Sequence, residues 1–375
     1  MNTESLNIDT YKVSVKSYTL TLFNHDIMNC TSEEVKGNFL YSGRALGLTE
    51  PGNIIQLHPR LKDEWHYITQ HYDNIGLSYS ESIIWDVNYA CLKEYPEYKP
   101  SFFYYGDDIY DTYENHDFHS IVDFINSKNN FMQVATELNL PIPKTFCYSS
   151  KDEISDTSIF PYPCYVKAAI SVSGVGIYRC ENESEVFNAL NTFGVDVPIQ
   201  IQEEVMAATF LNVQYRVGVK GLERFAASEQ LLDGFAHKGN QHPTRFDCWH
   251  VTDAFAEYLY ERGMEGVFAF DVAVIDKGSS MDYRLIECNP RFNGASYPTW
   301  IAKKLGIERW TAEAFSTNIR SLENLDLSGI EFDSEMESGV VLVNWGPILV
   351  GKLSVMFVGN AEQQKNLREE FIKRM

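Results

Sequence analysis

Apolar and polar positions alternate most clearly over residues 266–298, where two segments of period two flank Lys277, Gly278, Ser279 and Ser280 and predict an antiparallel hairpin. Alternation sets Asp271, Ala273 and Ile275 on one face of the first strand, and Tyr283, Leu285, Glu287 and Asn289 on one face of the second. The parity of the connecting loop then matters. An odd loop brings Asp271 opposite Glu287, whereas an even loop turns Asp271 to the other face.

The same reading organises the rest of the chain. Residues 35–125 form a small α/β unit, with a helix over 35–46, a turn at Glu50-Pro51-Gly52-Asn53, a strand over 53–57 and a helix over 62–72. The aromatic run at 95–120 reads as a packed interdomain surface. A second unit opens near Ser120. Its helix starts at Ser127-Lys128-Asn129-Asn130 and runs through Leu138, where the Pro141 and Pro143 break ends it. Strands over 164–169 and 176–180 flank a glycine-bearing loop, and a helix over 183–192 and a strand over 198–203 follow. Segments 211–219 and 224–232 pair as strands, and the polar stretch 234–243 reads as a lid or an exposed loop. Helices are expected over 299–305 and 310–321. Two strands across Gly346-Pro347 and a charged helix over 361–375 make an appended cap.

At 375 residues the chain exceeds one ordinary core, so two or three domains are expected. Its 44% hydrophobic and 22% charged residues describe a globular protein. A net charge of −21 argues against nonspecific binding to nucleic acid or an anionic membrane, and it means that an anionic ligand needs its own local cations. Seven cysteines without a CxxC pair suit reduced thiols in a cytoplasmic protein. The N-terminus lacks the pattern of a secretory leader, and no apolar run reaches the length of a membrane span.

The candidate chemistry lies on the hairpin. Two carboxylates converging on a sheet face repel unless a cation separates them, and Asp271, Glu287 and Asn289 offer the hard oxygen ligands that suit Mg²⁺. Arg291 adds a fixed positive charge beside them. Lys167 precedes a loop whose Gly174 and Gly176 let backbone N–H groups approach phosphate oxygens. Adjacent acids Glu203 and Glu204 end an apolar strand, and the polar stretch carries His237, Lys238, Asn240 and His242.

With Lys128, Lys167 and its glycine loop, the run Gln202-Glu203-Glu204-Val205, then Asp271, Glu287, Asn289 and Arg291 in this order, the chain resembles the ATP-grasp superfamily, most strongly over 287–293. Its N-terminal unit and C-terminal segment resemble those of stand-alone amino-acid or peptide ligases with a pre-ATP-grasp domain. The resemblance implies an α+β / α/β chain in which two α+β subdomains grip ATP behind a small α/β domain. The boundaries would be 1–120 for the N-terminal domain, 121–205 for the small subdomain, 206–328 for the large subdomain and 329–375 for the cap. It further implies that Lys128 and Lys167 hold ATP phosphates and that the loop with Ser173, Gly174 and Gly176 closes over them. Glu203, Glu204 and Val205 would face the adenine, and Asp271, Glu287 and Asn289 would hold one or two Mg²⁺ ions, for which Mn²⁺ can substitute. Arg291 would touch the γ-phosphate or an acyl phosphate, with Lys238 a second cation and His237 or His242 the acceptor of an amine proton.

The expected activity is an ADP-forming ligase that joins a small-molecule carboxylate to an amine, with amino acids or peptides as substrates. A kinase on the same fold and a nucleotide-binding protein without turnover are the alternatives. The aromatic N-terminal unit leaves room for a homodimer.

Overall fold

The computed structural model describes residues 20–31, 35–105, 116–170, 176–234 and 236–375, and three sheets organise them. The first is parallel. Its strands β1 (Thr21–Asn24), β2 (Ile54–Leu57), β3 (Ile83–Trp85) and β4 (Lys99–Phe102) lie in the order β3-β2-β1-β4. Parallel neighbours require crossovers. A 3₁₀ run over Asn38–Leu48 joins β1 to β2, and α1 (Trp65–Asn74) lies between β2 and β3. Sequence periodicity predicts an α-helix where the 3₁₀ run lies. Its glycines weaken helix propensity and admit neighbours that a β-carbon would meet: the Trp345 ring 3.0 Å from Gly43, and Ile301 2.6 Å from Gly47.

Helices α2 (His116–Asn126) and α3 (Lys128–Glu137) lead to a second, antiparallel sheet. It comprises β5 (Thr145–Tyr148), β6 (Cys164–Ala168), β7 (Ile177–Cys180) and β8 (Ile199–Glu203), ordered β5-β8-β6-β7 and backed by α4 (Glu183–Leu190). Phe160, Val166, Val186, Ile199 and Ile201 give it a core of its own. Asn182 caps α4, its side chain accepting from Glu185 N–H, with Glu183 and Glu185 in the first turn.

The third sheet has eight strands. They are β9 (Thr209–Gly218), β10 (Gly221–Asp233), β11 (Ala236–His242), β12 (Gly266–Asp276), β13 (Met281–Asn289), β14 (Trp310–Ser316), β15 (Gly339–Asn344) and β16 (Lys352–Val358). The spatial order is β13-β12-β9-β10-β11-β14-β16-β15. Against it lie α5 (Trp249–Glu261), α6 (Ser296–Leu305) and α7 (Ala361–Lys373). Among the described residues no helix is long and apolar enough to cross a membrane.

Three local expectations change. The polar stretch 234–243 is not a loop: β11 pairs with both β10 and β14. Residues 310–316 form a strand rather than a helix, and the alternating burial of Trp310 and Ala312 at its start is what a strand with one buried face requires. The last segment is not an appended cap either. Strands β15 and β16 complete the large sheet, and Val340, Leu342, Trp345 and Ile348 share one core with Leu40, Leu46, Ile68 and Tyr72 of the N-terminal unit.

Polar contacts reinforce that joint. His71 in α1 is 3% exposed, and its Nε2 accepts from Leu342 N–H at 3.0 Å. The proton is thereby assigned to Nδ1, which donates to Glu331 at 2.6 Å. Burial alone would raise the Glu331 pKa, but the bonds from His71 and Asn74 outweigh it and hold it below the usual value.

Gly346 reports on the same joint, because a β-carbon there would stand 2.2 Å from the Leu40 carbonyl oxygen. Gly346→Ala is expected to cost about 2–3 kcal/mol and lower the thermal midpoint of the whole chain in one transition. An unchanged midpoint by scanning calorimetry would show that the two segments do not share a core.

Candidate active site

The hairpin of β12 and β13 decides the site. Its turn, Lys277 to Ser280, has four residues, because Asp276 pairs with Met281. By parity alone Asp271 should face away from Glu287. Between Val272↔Leu285 and Asp271↔Glu287, however, the register shifts by one residue, leaving Ile286 as a bulge. The bulge restores Asp271 to the face that carries Glu287, and Asn289 donates to Asp271 Oδ2 at 3.2 Å.

Cations reach this face from the second unit. Lys128 opens α3, is 7% exposed and places Nζ 3.0 Å from Glu287 Oε2. A lysine at a helix N-terminus opposes the helix dipole, which the carboxylate offsets. Backbone ties fix the approach: Lys128 N–H donates to Ala169 O at 2.7 Å, and Leu285 N–H to Pro141 O at 2.8 Å. Lys167, on β6, is buried, and its Nζ donates to Gln202 Oε1 at 2.8 Å. Gln202 is held in turn, donating to Thr145 Oγ1 at 3.0 Å. Arg291 follows β13 and donates from Nη1 to Asn126 Oδ1 at 2.8 Å.

The electrostatics follow from this crowding. Burial and the neighbouring Glu287 charge push the Asp271 carboxyl well above the usual carboxylate range. Burial would do the same to Glu287, but Lys128, Lys167 and Arg291 outweigh it and keep that carboxyl low. Burial brings Lys167 down to about 8, helped by Lys128 and opposed by Glu287. These are the local cations that an anionic ligand of a strongly acidic chain requires.

Sequence reasoning missed the polar row that continues the site across the sheet. Asn212 and Gln230 donate to Asp271 Oδ1 at 2.8 and 2.7 Å, and Gln214 donates to Thr299 at 3.0 Å. Further along, Asn240 donates to Ser228 Oγ at 3.1 Å and turns its Oδ1 to His237 Nε2 at 2.6 Å. In sequence these are amides at alternate positions of the apolar strand Leu211-Asn212-Val213-Gln214-Tyr215, a pattern that sets them on one face without marking that face as buried.

The structure does not gather every candidate. Lys238, on β11, is half exposed and pairs with Asp233 at the end of β10 at 3.6 Å. His242 stacks on Trp310 and its Nδ1 engages Ala227 O at 2.9 Å, as a packing residue does. Glu203 accepts from Lys144 N–H at 2.9 Å. The Glu204 carboxylate accepts from Arg179 at 2.6 and 2.7 Å and from Tyr165 at 2.7 Å, and these bonds bring its pKa down to about 2. Val205 continues the chain out of β8 toward β9. Gly176, at φ +73°, adopts the left-handed backbone that glycine favours, whereas Ser173 and Gly174 lie outside the described residues.

For a divalent metal the fit is one of donor chemistry. Among the described residues no group of three or more His, Cys, Asp or Glu side chains is placed to hold a metal ion. Asp271 and Glu287 nevertheless form a like-charged pair with Asn289 beside them, and Asn212 Oδ1 is a buried oxygen without a donor among the described residues. Such a set of hard oxygens fits Mg²⁺ or Mn²⁺.

No family model matches the chain, and no curated protein matches it in sequence. Solved structures do match in shape. N5-carboxyaminoimidazole synthetase from Staphylococcus aureus, complexed with ADP, is 11% identical, covers 96% of this chain and 98% of its own, and has a TM-score of 0.59. Biotin carboxylase from Campylobacter jejuni, in a nucleotide complex, is 12% identical over 91% of this chain and 87% of its own, at a TM-score of 0.61. N5-carboxyaminoimidazole synthase from Aspergillus clavatus, in complex with ADP and 5-aminoimidazole ribonucleotide, is 10% identical over 88% of this chain and 99% of its own, at 0.54. At these identities the likeness is one of architecture, and it spans the parallel, small antiparallel and large antiparallel sheets together: the chain has the ATP-grasp fold, preceded by an N-terminal α/β domain.

Proposed function

We propose that this chain is an ADP-forming ligase that activates a carboxylate as an acyl phosphate and joins it to an amine. The supporting observation is the convergence of Asp271, Glu287 and Asn289 with Lys128, Lys167 and Arg291 where the two antiparallel sheets face each other. ADP and ATP in structures of the same fold support the nucleotide. Amino acids or peptides are the substrates we propose.

In this reading the adenine edge lies against the backbone at Val205, since the carboxylates of Glu203 and Glu204 are already engaged. Lys128 and Lys167 hold phosphate oxygens. Asp271, Glu287 and Asn289 would hold Mg²⁺, which when bound neutralises phosphate charge. A substrate carboxylate oxygen attacks the γ-phosphorus, the bond to the β–γ bridging oxygen breaks, and ADP leaves with that electron pair. The amine then attacks the acyl carbon and inorganic phosphate departs. Arg291 stands where it can neutralise the oxyanion.

The amine proton needs an acceptor, and His237 is the residue we assign. Asn240 presents an oxygen to Nε2, so Nε2 carries the hydrogen and Nδ1 keeps its lone pair. Lys238 and His242 have no role in this scheme.

Incubation with Mg-ATP and pooled amino acids, followed by phosphate detection and mass spectrometry, tests the proposal. A product one water lighter than the sum of acid and amine is expected; a product heavier by a phosphoryl group would make the protein a kinase. Asp271→Asn and Glu287→Gln should each reduce turnover by on the order of 10²–10³-fold. Without metal, stability should fall as the pH rises from the carboxylate range toward neutrality, because the raised Asp271 must ionise beside Glu287. Asp271→Asn should flatten that pH dependence in denaturant titrations. Lys167→Met should raise the KM for ATP about tenfold or more, and an unchanged KM would remove Lys167 from the phosphates.

Gly294 offers a separate check on the amine step, because a β-carbon there would lie 2.7 Å from His237 Cε1 and displace the ring. Gly294→Ala and His237→Gln should both slow amide formation while leaving acyl-phosphate formation, trapped with hydroxylamine, near its original rate. Equal loss of both steps would refute the assignment of His237.

A further inference from the structure

A second pair of charges lies beside this site, between the N-terminal unit and the hairpin. Arg44, in the 3₁₀ run after β1, is 7% exposed. Its Nε donates to the His25 carbonyl at 3.2 Å, but its Nη2 has no hydrogen-bond partner among the described residues. Three rings surround the guanidinium, with centroids at 4.1 Å (Phe103), 4.7 Å (Tyr297) and 5.3 Å (Tyr41). Aromatic faces attract a cation without accepting all of its in-plane N–H bonds. A buried charge left in that state is costly unless a ligand completes it.

The surroundings indicate which ligand. Arg291 lies over the same Phe103 ring, 5.4 Å from its centroid, and the Cys30 thiol feels both guanidinium charges. Nearby polar groups are already committed. His25 engages Tyr297 Oη and Ser101 Oγ, both at 3.0 Å, and burial followed by the Arg44 charge holds its pKa well below the ordinary value, so it is neutral. Asp26 accepts from Met28 N–H at 3.0 Å and from Tyr89 Oη at 3.4 Å. Two cations gathered at one ring, one of them with an unfilled N–H group, suit a small planar anion with two oxygens.

We infer that Arg44 and Arg291 form a clamp for the carboxylate of the acid substrate, with Arg44 its specificity-determining residue. This inference rests on the proposed ligase reading for the fate of the carboxylate, but not for its binding. Arg291 belongs to both the clamp and the metal-bearing hairpin, so a carboxylate held there lies on the phosphate side of the cleft. Arg44, from the N-terminal unit, supplies a contact that no phosphate-binding residue duplicates. It gives that unit a direct part in choosing the substrate.

The test uses the full chain and Arg44→Gln, with Arg44→Lys as a variant that keeps the buried charge. Each L-amino acid, its carboxamide and inorganic phosphate are added singly with Mg²⁺ and a non-hydrolysable ATP analogue, and thermal shifts are recorded; ADP release is measured in parallel with Mg-ATP. At least one free acid should raise the midpoint of the original protein while its carboxamide does not. For an acid that drives ADP release, Arg44→Gln should raise its KM about 10–100-fold with the KM for ATP unchanged, and Arg44→Lys should recover part of the loss. An Arg44-dependent shift without ADP release would sustain the clamp and refute the ligase. ADP release with an unaltered acid KM in Arg44→Gln, a shift by phosphate but by no carboxylate, or no shift by any acid would each overturn the clamp.

Discussion

Two carboxyl groups forced together on one sheet face are the constraint on which the rest of the site depends. Asp271 and Glu287 face each other across β12 and β13 because a bulge at Ile286 sets them there. Left alone they would repel, so the surrounding structure divides their roles. Glu287 stays ionised under three cations, while Asp271 accepts from three amides and is driven toward its neutral form. An arrangement that is unfavourable without a cation is one in which a bound metal, under the proposed reading, would relieve strain already present. Binding and charge balance become the same event.

Much of this was legible in the sequence because its chemistry is local. The acids of the hairpin, the run from Glu287 to Arg291, Lys128 at a helix start and Lys167 on a strand all stand at positions that alternation or capping defines. The strands at 164–168, 177–180 and 199–203 were legible for the same reason. What was not legible depends on partners far away in the chain. The bulge at Ile286 leaves no mark in the residue pattern, since an extra residue in a strand resembles a change in loop length. The stretch around Asn240 looks like a loop until β14 arrives to pair with it. Asn212 and Gln230 look like solvent-facing amides until Asp271 is placed between them.

Arg44 illustrates the limit most clearly. In sequence it is one arginine among residues of an expected amphipathic helix, with nothing to separate it from a surface charge. Only packing reveals that it is enclosed by Phe103 and Tyr297, from distant parts of the chain, together with Tyr41 of its own 3₁₀ run. The aromatic run expected to form an interdomain surface contributes Phe103 to this enclosure; its residues 106–115 lie outside the described structure.

The apolar cores are divided unequally among the three sheets. The N-terminal unit shares one core with β14, β15 and β16 of the large sheet, α2, α3 and α5 share another with β9, β12 and β13, and the small sheet around Val166 and Ile201 keeps its own. A body that owns its core exposes little apolar surface when it swings. Its opening is then governed by the few polar ties at its margin, such as Lys128 N–H to Ala169 O, rather than by hydrophobic area. Salt should therefore shift how closely the small sheet is held to the rest of the chain without loosening the fold.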